Sequence, residues 1–173
     1  MPLSSVVGAQ SIVKPGVCTS STRPASPYQG QVIYETDTKK TLAYSGSAWD
    51  ILSDMGAWTT WTPTITADTG TFTTVSGAGR YVQTGKTVTG TAVITITTNG
   101  TAAGAVKITP PISMSGNYIA GTSVGFGREG SVTGNALNVE YRSASVMGIT
   151  KYDNTYPAAS GYTLRITFVY EAA

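Results

Sequence analysis

The sequence predicts an all-β protein with three parts: an extended N-terminal arm, a small β-meander and a C-terminal domain of β-sandwich or jelly-roll type. Three observations predict it. Apolar and polar residues alternate over short runs, most clearly in residues 162–170, where Leu164, Ile166 and Phe168 fall on one face and Thr163, Arg165 and Thr167 on the other. The composition leans to Thr, Val and Tyr, which suit strands, and its 20 Gly and 8 Pro break the runs at turn spacing. No stretch carries a helical period of any length.

Taken in order, residues 1–26 read as an arm. Gly8, Pro15, Gly16 and Pro24 rule out a long helix or a central strand there, and Val6-Val7 and Ile12-Val13 are isolated apolar pairs suited to docking on a partner surface. Residues 27–57 read as a meander with a linker. Residues 31–36 alternate, with Val32 and Tyr34 on one face and Ile33 and Glu35 on the other. Asp37 to Lys40 supply a polar turn, residues 41–44 a return strand, and residues 48–52 a third strand carrying Trp49 and Ile51. A unit this small cannot hide its own apolar side chains and is expected to pack on copies of itself or on the next domain. Residues 53–57 link it to the main domain.

Residues 58–173 read as one β domain. Trp58, Trp61 and Tyr81 are expected to pin its first strands to a core, with Pro63 at a strand start or edge. Strands are expected at residues 80–83, 87–98, 105–109, 117–124, 131–132, 136–141, 145–149 and 162–170. Gly90 inside the second marks a bulge, Asn99-Gly100 a tight turn, and Pro110-Pro111 a stop.

The totals narrow the function. Charged residues are 12% of the chain, the net charge is +2, and no basic run exists, so nucleic acid is not an expected partner. A single cysteine, Cys18, allows no internal disulfide. No basic leader or long apolar run is present, so neither a signal peptide nor membrane insertion is expected. Histidine is absent, which excludes Ser-His-Asp and Cys-His catalysis and histidine metal sites. Residues 125–130, Gly-Phe-Gly-Arg-Glu-Gly, have the wrong glycine spacing for a dinucleotide loop. Glu129 and Glu140 are the best acid/base pair for a polysaccharide-cleaving enzyme, but the sparse carboxylates make a non-enzyme the expectation. No cofactor and no metal site are expected. Glycan binding fits better: the loop of Tyr152, Asp153, Asn154 and Tyr156 sets aromatic faces beside short polar groups, and Tyr118 and Arg128 are candidates to supplement it.

Two stretches resemble known proteins. The string from Thr22 to Trp49 has Arg23, Pro24, Pro27, Gly30, Tyr34, Thr36, Asp37, Tyr44, Gly46 and Trp49 at the spacings of a segment found in bacteriophage tail-fibre and minor tail proteins. Trp58, Trp61, Pro63, Gly79, Arg80, Tyr81, Gly85, Lys86, Val88 and Pro110 are similar in order to C-terminal domains of minor tail proteins from siphophages of actinobacteria. The resemblance implies a structural virion protein, synthesised in the host cytoplasm. It implies a homotrimeric short tail fibre or minor tail protein that contacts other virion proteins through its arm and a host-surface glycan through its C-terminal domain. A capsid or collar decoration protein is the alternative.

Overall fold

A computed structural model describes residues 15–56 and 58–173. The chain divides into two compact units, Met1–Gly56 and Ala57–Ala173. Both are built of strands, and the all-β class holds. The apolar pairs Val6-Val7 and Ile12-Val13 lie outside the described residues.

The first unit is a four-stranded sheet of β1 (Gly16–Cys18), β2 (Val32–Glu35), β3 (Lys40–Tyr44) and β4 (Trp49–Asp54), in that order. β2, β3 and β4 form the expected meander. β1 pairs in parallel with β2, so this part of the expected arm belongs to the sheet instead. The reason is a set of polar ties that the apolar pattern does not reveal. Glu35 is fully buried at the end of β2 and accepts from Arg23 Nε at 2.5 Å and Thr38 Oγ1 at 2.6 Å. The Asp37 carboxylate accepts from the Ser20 N–H and, at 2.6 Å, from its hydroxyl. These bonds fold residues 19–23 back over the β2–β3 turn. Alternation on β2 is as expected: Ile33 and Glu35 are buried, and Val32 and Tyr34 are half-buried. Tyr44 and Trp49 face each other across the β3–β4 turn with ring centroids 5.3 Å apart.

The second unit is one nine-stranded sheet. Its strands are β5 (Thr59–Trp61), β6 (Ile65–Thr69), β7 (Thr74–Thr84), β8 (Thr87–Thr98), β9 (Ala103–Ile108), β10 (Ser123–Glu129), β11 (Ala136–Ser143), β12 (Val146–Lys151) and β13 (Tyr162–Glu171). Hydrogen bonds run without a break in the order β5-β7-β8-β13-β10-β11-β12-β9-β6. The domain is therefore one continuous sheet and not two stacked ones. β5 and β6 stand at opposite edges, yet only Thr62, Pro63 and Thr64 separate them in the chain. The sheet must curl until its edges meet. Pro63 and Ile65 then lie against Gly77 of β7, where a Cβ would stand 2.9 Å and 2.7 Å from them. The curl encloses the inner face of every long strand. Val88, Ile94, Ile96, Val106, Val139, Ile149, Leu164 and Phe168 form one buried cluster, each contributing about 1.5–3 kcal/mol of apolar burial.

Several expected boundaries move. The strand expected at 80–83 runs from Thr74, because Ser76, Gly77, Ala78 and Gly79 pair with β8 despite carrying little apolar signal. β6 was hidden in the same Thr/Gly-rich passage. The strand expected at 117–124 lies instead at Ser123–Glu129, so the glycine-rich Gly125-Phe126-Gly127 is strand and not loop. Residues 131–132 form a turn, held by Glu129 as described below. Gly90 is no bulge: pairing with β7 and β13 passes through it in register. It is glycine because the Phe168 ring fills the space a Cβ would need. Phe168 in turn meets Trp61 edge-on at 5.7 Å and stacks on Tyr170 at 5.7 Å. Trp61 and Tyr81 pack on the core as expected, but Trp58 is 41% exposed and lies under the Arg80 guanidinium at 5.3 Å.

Replacing Gly90 by Ala should therefore overpack the core and cost about 1–3 kcal/mol. A thermal melt of G90A should show a lowered Tm, partly restored in the double variant G90A/F168L. An unchanged Tm in G90A would contradict the packing described.

Candidate functional site

A hydrolytic site needs carboxylates that substrate can reach. Glu129, at the end of β10, is fully buried. One oxygen accepts from the N–H and hydroxyl of Ser131 and from the Thr163 N–H at 3.1 Å. The other accepts from the N–H groups of Val132 at 2.8 Å, Thr133 at 2.5 Å and Gly134 at 3.3 Å, and from the Thr133 hydroxyl. Burial by itself raises this carboxyl, but the donors from Ser131, Thr133 and Val132 outweigh it and hold the group well below the usual carboxylate range. Every lone pair is engaged in ordering the β10–β11 turn, so Glu129 has neither the exposure nor the proton of a general acid. Glu140, on β11, is 8% exposed and binds Arg142 Nη2 at 2.6 Å, lying over Gly148 of the next strand. Arg142 also reaches Asp68 at 3.9 Å, and Asp68 pairs with Lys107 at 3.6 Å. Glu129 caps a turn from inside and Glu140 belongs to an outer-face ion network; they do not face one another across a cleft.

The six residues expected to bind a glycan do not gather at one point. In the loop after β12, Asp153 accepts from the Thr155 N–H at 3.1 Å and hydroxyl at 2.6 Å, and these bonds hold its carboxyl below the usual range. Asn154 takes a left-handed backbone, φ 63°. This tight turn sends the two tyrosines apart. Tyr152 is 76% exposed, whereas Tyr156 turns inward and donates its hydroxyl to Asn99 Oδ1 at 2.6 Å. Burial raises the Tyr156 phenol, and the bond to Asn99 opposes it. Tyr118 packs on Tyr141 at 5.4 Å, and its oxygen accepts from the Glu171 N–H at 2.8 Å. Tyr156 is tied near the start of β13 and Tyr118 to its end, a separation of about 30 Å along the strand.

Two of the six do share a surface. Arg128 of β10 pairs in register with Arg165 of β13 on one side and Ala136 of β11 on the other, and the Tyr152 N–H bonds the Ala136 carbonyl. Tyr152 thus ends the row that holds Arg128, about 10 Å away across two strand spacings. The sequence reading missed Phe126, which stands in the neighbouring row opposite Thr167 and Asn138 and is 69% exposed. The only signal for it was an aromatic between two glycines in a strand. Two clefts flank its ring. One of about 470 Å³ is lined by Ser123, Asn138, Thr167 and Val169 among others. The second, of about 420 Å³, is lined by Val93, Arg128 and Arg165 among others. This outer face of β13, β10 and β11 is the candidate binding surface.

No protein family, curated protein or solved structure matches the chain.

The saturated state of Glu129 makes a prediction. Its folded-state pKa lies below its unfolded value, so its contribution is complete above about pH 4.3 and is lost as pH falls below that. Replacing Glu129 by Gln sets an amide donor against backbone donors and should cost about 3 kcal/mol at pH 7. Denaturant unfolding from pH 7 down to pH 3 should show the stability gap between wild type and E129Q narrowing with acid. A gap independent of pH would contradict the assignment.

Proposed function

We propose that the chain is a structural protein of a tailed bacteriophage: a homotrimeric short tail fibre or minor tail protein whose larger unit binds a host-surface glycan. The observation that carries this reading is the contrast between its buried carboxylates and its exposed rings. Glu35 and Glu129 are both consumed as structural acceptors, which speaks for a binding protein and against an enzyme, while Phe126 and Tyr152 stand on one outer sheet face. Support comes also from the small unit. The residues that resemble phage tail proteins include those that tie it together, with Arg23 on Glu35, Asp37 on Ser20, and Tyr44 against Trp49.

The small unit buries few apolar side chains, chiefly Ile33 and Leu42, and leaves Val17, Tyr28, Leu52 and Met55 more than half exposed. A sheet of this size gains stability by covering such groups with other chains. Copies of itself and other virion proteins are the partners this reading assigns, with the protein carried on the virion. Weak glycan sites on three copies would then add through linkage. The same surface suits the alternative of a capsid or collar decoration protein, which would dock through the small unit and leave the larger one outward.

Sedimentation equilibrium of the full chain at micromolar concentration should give a trimer, and a monomer would overturn the fibre reading. Immunogold labelling of virions with antibody to residues 58–173 should mark the tail; label on the head would replace the tail reading with decoration.

A further inference from the structure

We propose that the outer face of β13, β10 and β11 binds an acidic saccharide, a sugar chain bearing carboxylate or phosphate groups, with Phe126 as the stacking platform and Arg128 and Arg165 as the anion-binding pair. The proposal deepens the adhesion reading above and rests on it for the class of partner.

The charge of this face favours an anionic ligand. Arg128 and Arg165 are cross-strand neighbours in register, both exposed. Like charges directly opposite destabilise a sheet unless something neutralises them. Among the described residues neither arginine takes part in an ion pair, and residues 1–14 contain no carboxylate side chain. Glu140, on the same outer face of β11, is already paired with Arg142. Glu129, adjacent to Arg128 in sequence, points inward and is saturated. The guanidinium of Arg165 lies over Gly130, whose missing side chain leaves it room. Two planar, uncompensated cations side by side suit carboxylate or phosphate oxygens, which guanidinium binds in a fork.

The shape of this face favours a sugar. Phe126 rises from the sheet with a cleft on either side, and Thr167 lines both. The apolar C–H face of a sugar ring lies flat on such a ring. The Asn138 side chain, which accepts from Ser123 Oγ at 2.7 Å through its oxygen, keeps its amide N–H groups for a sugar hydroxyl. Tyr152 stands at the end of the arginine row as a second exposed ring. A second copy of the chain is the competing occupant. A symmetric contact through this face sets the arginine pairs against each other unless Arg165 meets Glu171, the exposed carboxylate about 20 Å along the same face of β13, so the oligomeric state of F126A is part of the test.

The test is calorimetric titration of the full chain with three probes: trigalacturonate, a glycerol-phosphate oligomer and neutral maltotriose. At least one acidic probe should bind saturably and maltotriose should not. R128Q and R165Q should each weaken binding about tenfold or more, and F126A should weaken it at low and high salt alike. All three side chains are exposed, so the variants should keep the wild-type melt. Failure of both acidic probes to bind, or binding unchanged by F126A, overturns the site. A trimer that binds neither probe overturns the site and leaves the fibre reading standing. A trimer that dissociates on F126A substitution overturns it in favour of a contact between copies.

Discussion

The larger unit depends on one constraint of connectivity. β5 and β6 are consecutive in the chain but belong to the two opposite edges of a nine-stranded sheet. Three residues cannot span an open sheet of that width, since each strand adds about 4.8 Å. The sheet therefore has to roll until its edges approach, and the inner face becomes a closed core. The two edge strands are short, 3 residues in β5 and 5 in β6, which limits the unpaired border that would otherwise invite aggregation. The packing follows from this. Pro63 and Ile65 press against Gly77, Trp61 lies on Gly79, and Phe168 occupies the space beside Gly90. The rings of Trp61 and Phe168 each lie over the glycine directly opposite on the paired strand, which leaves them room inside the curled sheet.

A second theme is common to both units. Each buries one glutamate completely and surrounds it with donors. Glu35 gathers the segment before β2 through Arg23 and the turn after it through Thr38. Glu129 gathers the β10–β11 turn and reaches Thr163 at the start of β13. A buried carboxylate without partners would be prohibitive; with its oxygens fully satisfied it orders loops that contain few apolar groups. A chain with 9 acidic residues has placed two of them where they build structure. The same use takes Glu35 and Glu129 out of the role of glycosidase acids, which must stay available to substrate.

The candidate surface was partly legible in the sequence. Arg128 and Tyr152 could be singled out as residue types that suit a sugar. Their association could not, because it arises from the register of β10 on β11 and from the hydrogen bond of Tyr152 to Ala136. Phe126 was passed over because flanking glycines make a run look like loop. Gly125 and Gly127 instead sit in strand, close against the β13 backbone. Conversely, Tyr156 and Tyr118 looked like binding residues by type. Each is held inward by a hydrogen bond to a partner more than 50 positions away in sequence.

By itself the sequence determined the all-β class, a division near residue 57, a three-stranded meander within residues 31–52 and the apolar face of β13. All of these follow from local alternation and turn chemistry. Tertiary structure alone decided three further things. It made strands of the Thr, Ser and Gly passages at β6 and β7, whose neighbours supply the apolar surface they lack. It drew β1 into the small sheet through the Arg23–Glu35 ion pair and the Ser20–Asp37 hydrogen bonds. It also chose which aromatic and charged residues face solvent together. The physical reason is the same in each case. Strand pairing and burial join residues distant in sequence, and a period of two says which residues share a face but not which strand lies beside it.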